Sequence, residues 1–146
     1  MGNWYAVIGF GGYTMDTAAL GAAVALSKHA GHVFIATVGP ERVPHMAAAG
    51  PLLLEDNHVA ITAWYCPMTL ANIQQFPEVS IVVWQKETDS GYQLIGKLEK
   101  VRDVAQINGY APKENVSLYP QIERQLVIKV ESVLFFSKAL HADTAE

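Results

Sequence analysis

The 146-residue chain contains one cysteine, Cys66, which excludes an intrachain disulfide framework and any zinc or iron–sulfur site built from several cysteines. That scarcity fits a reducing compartment, and the expected location is cytoplasmic. Charge is scarce as well. Only 16% of residues are charged, and 10 basic against 14 acidic side chains leave a net charge of −4. Such a chain has no basic footprint for nucleic acid or for an anionic membrane, so any anionic ligand must be held by local groups. No paired-carboxylate or Ser-His-Asp arrangement can be argued from the order of residues.

Long uninterrupted apolar runs are also missing. Residues 1–27 carry a single charge, Asp16, but no basic residue precedes the apolar stretch and Gly9, Gly11 and Gly12 interrupt it. The segment therefore reads as part of the fold rather than as a signal peptide. Residues 57–77 carry no charge, yet Thr62, Thr69, Asn72, Gln74, Gln75 and two prolines make them a poor bilayer span. A soluble protein without membrane contact is expected.

What is abundant is apolar side chain, 51% of the total. A chain of this length buries roughly 68–70% of its unfolded surface in one core, so this composition implies further apolar surface covered between subunits. We expect one domain over residues 1–146, with its core at about 15–137, a tail at 138–146, and self-association. Asn3 to Phe10 suits a short strand, and Gly11-Gly12 ends it before Thr14 offers a helix N-cap. Leu20, Ala23, Val24 and Ser27 then fall on one helical face, with Gly31 as the stop.

Strand patterns follow. Val33–Val38 and Val43–Ala49 flank the turn residues Gly39-Pro40-Glu41-Arg42, and Val59–Trp64 follows a turn at Glu55-Asp56-Asn57. Met68–Phe76 has the length of a short helix stopped by Pro77, and Val79–Gln85 is a buried strand. Tyr92, Leu94, Gly96 and Leu98 alternate with Gln93, Ile95, Lys97 and Glu99, the period of a half-exposed antiparallel strand. Residues 105–123 look irregular, and Leu126, Ile128 and Val130 alternate in the last strand. Five or more short antiparallel strands interrupted by two helices point to a mainly β (α+β) class, a small barrel with flanking helices.

The order Val33-Phe34-Ile35-Ala36-Thr37-Val38, Val43-Pro44-His45-Met46, Thr69-Leu70-Ala71-Asn72-Ile73, Pro77-Glu78-Val79-Ser80-Ile81 and Gly91-Tyr92-Gln93-Leu94-Ile95-Gly96 resembles the pyridoxamine 5′-phosphate oxidase-like FMN-binding split barrels. The match covers about residues 15–104, with Val133 in what looks like the family's last strand. The resemblance implies a six-stranded split barrel, a homodimer, and one FMN at each of two sites between subunits. In the family the phosphate is held at the start of the short helix, commonly by a lysine followed by a threonine, with an asparagine three residues on. Thr69 and Asn72 match the last two, and Met68 stands where the lysine would be. That substitution weakens the expected grip on phosphate.

The same resemblance brings His45, Met46 and Ala47 past the flavin, with Thr62, Ala63, Trp64 and Trp84 bordering the region. His45 could face the ring or hold a backbone carbonyl; the aromatics could stack on a ring or serve as core and interface. Taken on chemistry alone, Thr69 could simply cap its helix and Asn72 pack against a loop. His29 and His32 lack a third ligand for a metal, and Cys66 has no basic neighbour to make it a reactive thiolate. The function implied is a flavoprotein oxidoreductase. A pyridoxamine phosphate oxidase proper would need a second basic phosphate set, and Arg124 is the only arginine after Arg102. The alternatives are a non-catalytic module for FMN, haem or a deazaflavin, and a cofactor-free dimeric scaffold.

Overall fold

The computed structural model describes residues 15–62, 66–106 and 122–140. The expected strand at 3–10, residues Ala63 to Tyr65, residues 107–121 of the expected irregular stretch 105–123 and the tail beyond 140 lie outside the described residues, while 105–106 and 122–123 are strand rather than irregular. Helix α1 (Thr17–Ala30) begins at Asp16, whose carboxylate accepts the Ala19 N–H at 3.1 Å. Asp16, rather than Thr14, is thus the cap: its backbone is extended and its charged oxygen satisfies an N–H with no helical partner. Gly31 closes the helix at φ 82°, donating its N–H to Ser27 O, a conformation that disfavours a side chain. The buried face is Leu20, Ala23, Val24 and Ser27, as the spacing predicts.

All described strands form one antiparallel sheet. In chain order they are β1 (Val33–Val38), β2 (Pro44–Ala49), β3 (Leu53–Glu55), β4 (His58–Thr62), β5 (Glu78–Gln85), β6 (Ser90–Gln106) and β7 (Ile122–Phe136), with helix α2 (Pro67–Gln75) between β4 and β5. The order across the sheet is β2-β1-β5-β6-β7-β4-β3. There are seven strands rather than the expected six. β3 accounts for one, since three residues leading into the Asp56 turn carry no readable period. Leu126–Val130 and Val133, both assigned to the last strand, lie on β7. Ile95 pairs with Ser132 while Gly96 pairs with Val130, so Glu131 is an extra residue that bends the strand without breaking it.

Three such register shifts along β6 and β7 curl the sheet around its core. Gly96 sits at the first of them, and a Cβ there would overlap the carbonyl oxygen of Lys129. The inward rows run across the strands as Ala47–Ile35–Ile81–Leu94–Val133 and Ala49–Val33, with Val59, Ile61, Leu126 and Ile128 continuing the core under β4 and β7. α1 packs over β5, β6 and β3, and Ser27 Oγ accepts the Leu52 N–H at 3.0 Å, tying the approach to β3 onto the helix. α2 packs over β1 and β2.

Polar pairs lie away from that helix. Arg102 bridges Glu55 at 2.6 Å and Gln125 at 3.0 Å, and its guanidinium holds the Glu55 carboxyl below the usual range. Asp89 accepts both Trp84 Nε1–H and the Lys138 N–H at 2.9 Å. The backbone N–H of Lys138, then the indole of Trp84, keep its carboxyl below the ordinary value.

Candidate functional site

The first turn of α2 is the place where chain chemistry and geometry converge. Cys66 occupies the cap position and Pro67 follows it, so the first helical residue brings no N–H. The first helical bond is Leu70 N–H to Cys66 O at 3.0 Å. By helix geometry the N–H groups of Met68 and Thr69 have no intrahelical acceptor and form part of the positive end of the dipole. Met68 is on the solvent side, 61% exposed. It is therefore not a core methionine, and a longer cationic side chain could stand in the same place.

Thr69 turns the other way. It is 1% exposed, and its Oγ1 is buried with no hydrogen-bond partner. A buried hydroxyl is nearly always satisfied, so an orphan in the first turn of a helix is an unusual and costly arrangement. Side chains on a helix tilt toward its N-terminus, which brings this hydroxyl to the same end as the two N–H groups.

Asn72, one turn further on and 7% exposed, is engaged with protein: its Nδ2–H donates to Thr37 Oγ1 at 3.2 Å. Its Oδ1 lies against Gly39, where a Cβ would come within 3.0 Å of that oxygen. Asn72 thus locks α2 onto the end of β1 and the turn after it. Thr37 pairs across the ladder with His45, so His45, Thr37 and Asn72 share one end of the inner face. Thr37 escaped the sequence reading. The available signal was a hydroxyl in the otherwise apolar inward row Val33, Ile35, Thr37.

The remaining candidates do not gather here. Ala47 shares the inward face of β2 with His45, but Met46 points to the opposite face and is 62% exposed. Thr62 lies at the end of β4, paired with Gln125 and on the face opposite Val59 and Ile61. Trp84 pairs with Gly91 at the far end of β5; Ser80 already pairs with Ala36, which puts Trp84 about 13 Å further along the strand. Its indole is occupied by Asp89. Ala63 and Trp64 lie outside the described residues.

No protein-family model and no curated protein sequence matches the chain. Solved structures do. A pyridoxamine 5′-phosphate oxidase-related, FMN binding protein from Nostoc punctiforme PCC 73102 aligns with a TM-score of 0.61 at 14% identity, over 90% of this chain and 89% of that one. An FMN-binding protein from Syntrophomonas wolfei subsp. wolfei gives 0.60 at 18% identity, over 85% and 90%. The fold is that of the pyridoxamine 5′-phosphate oxidase-like split barrels. An F420 reductase shares it with a TM-score of 0.56 and 15% identity, over 75% of this chain and 93% of that one. Within the split barrel, α2 follows β4 in the chain and packs over β1 and β2, where Asn72 ties it to Thr37.

Proposed function

We propose that the protein is a homodimeric, cytoplasmic FMN-binding split barrel that serves as an oxidoreductase, with the flavin phosphate at the first turn of α2. The observation that carries this reading is the buried, unpartnered Thr69 Oγ1 beside the two open N–H groups of Met68 and Thr69. A phosphate oxygen accepts all three hydrogens and removes the desolvation penalty of the hydroxyl. Asn72 would position rather than bind, since it holds the helix against Thr37 and Gly39. Flavin, when bound, supplies hydride or electron transfer, and the protein's share is to hold and orient it and to limit water.

Dimerisation is supported by the outer face of the sheet. Phe34 pairs with Val82, Val82 with Gln93, and Gln93 with Leu134, while Met46, Ala36, Ser80, Ile95 and Ser132 form the adjacent row on the same face. Phe34 is 43% exposed, and no charged residue falls in either row. An uncharged sheet face that carries Phe34, Val82, Ile95 and Leu134, with Gln93 already hydrogen-bonded to Ser80, fits a second copy of the chain.

Purified protein reconstituted with FMN, then desalted, tests the cofactor. Retained flavin absorption supports the reading, and a bare aromatic spectrum after reconstitution overturns it in favour of the cofactor-free scaffold. Without a cation at position 68 the helix end contributes about 0.3–1 kcal/mol, so FMN should bind only a few times more tightly than riboflavin. Equal affinities in calorimetry would remove the phosphate from this helix end. The F420 reductase neighbour favours a deazaflavin as a second reading, which the band positions of the retained chromophore would reveal.

A further inference from the structure

We infer that the phosphate end of this site selects a singly charged phosphoryl group, such as a phosphodiester, over the doubly charged phosphomonoester of FMN. The inference rests on the function proposed above. Neither α2 nor the strands it packs over, β1 and β2, contain an Asp, Glu, Lys or Arg. What remains to balance a negative charge is the helix end, equivalent to about half a positive charge, and the neutral Thr69 hydroxyl, buried and without a partner. About half of one negative charge is compensated there, and no residue of these three elements supplies a full counter-charge for the second. Met68, exposed beside the same turn, offers a thioether surface to the alkyl substituent that a diester carries.

The titratable groups around the turn are few. His45 faces inward from β2 beside Thr37, Cys66 caps the helix, and Glu41 and Arg42 lie in the turn between β1 and β2. The charge on the ligand itself is therefore the main variable. A phosphomonoester loses its second proton near pH 6, while its methyl ester keeps one negative charge throughout.

Calorimetric titration with FMN, with the methyl phosphoester of FMN and with riboflavin at pH 5.5 and 8.0 is the test. The methyl ester should bind equally at both values. FMN should match it at pH 5.5 and fall behind by about tenfold or more at pH 8.0, with a limit of roughly 100-fold set by the monoanion fraction. Met68→Lys should abolish this discrimination by supplying the missing charge. The inference is overturned if FMN binds as well as its ester at pH 8.0, which leaves the cofactor reading intact. It is also overturned if the ester tightens at low pH as much as FMN and His45→Gln removes both effects, which would make the histidine the sensor. If none of the three ligands binds at either pH, the proposed function fails along with it.

Discussion

Replacing Thr69 by valine exchanges one hydroxyl for a methyl group of similar volume, and both residues are β-branched, so backbone preference in α2 changes little. In the ligand-free protein the hydroxyl is withdrawn from water without a partner, a state that costs about 1–3 kcal/mol. Valine removes that cost and adds a little apolar burial. The variant should gain about 1–2 kcal/mol, read as a higher urea midpoint at unchanged slope, and a rise in Tm of about 2–4 °C per kcal/mol. The same change deletes the hydroxyl's hydrogen bond to the phosphate, so FMN should lose most of its few-fold advantage over riboflavin while riboflavin is held as before. A variant less stable than the parent would mean that the hydroxyl is satisfied in solution. A more stable variant with unchanged FMN affinity would mean that Thr69 is buried for packing and that the phosphate binds elsewhere.

Gly96→Ala should cost about 1–3 kcal/mol or more in urea denaturation, because the new Cβ meets the Lys129 carbonyl on the paired strand and neither backbone can yield; a neutral result would refute the register at that bulge. Asp89 has a folded pKa below its ordinary value, so its contribution is fully present above the unfolded value of 3.8 and is lost as pH falls through the lower folded one. Asp89→Asn should therefore be less stable than the parent at neutral pH and converge with it in that acid window, a comparison that fails if the two denaturation curves stay parallel. Phe34→Lys puts a charge in the apolar outer face and should reduce the light-scattering mass from that of a dimer to 15.9 kDa; an unchanged dimer would place the interface elsewhere.

Several features of the site were legible early because local physics decides them. Pro67 opening the helix and Pro77 following its end bound α2 whatever the rest of the chain does. Thr69 and Asn72 could be placed on that helix from the resemblance. Which way each one faces could not be read. Residues three apart share a helix face, yet Asn72 is taken up by Thr37 from a strand 35 positions earlier, and no spacing rule reports on a partner that distant.

The sequence by itself determined the pieces whose cause is local. The buried stripe of α1, its glycine stop, the turn at 39–42 and the alternation of β6 follow from periods of 3.6 and 2 and from the dihedral demands of glycine and proline. Tertiary structure decided everything that depends on which strands meet. It set β5 between β1 and β6, made a three-residue segment into the edge strand β3, and bent β7 through a bulge at Glu131. It also made the face of His45 rather than that of Met46 the covered one, and left Thr69 Oγ1 buried without a partner. A period says which residues share a face. Only the packing of distant strands and helices says which face is covered and which polar atoms find a mate.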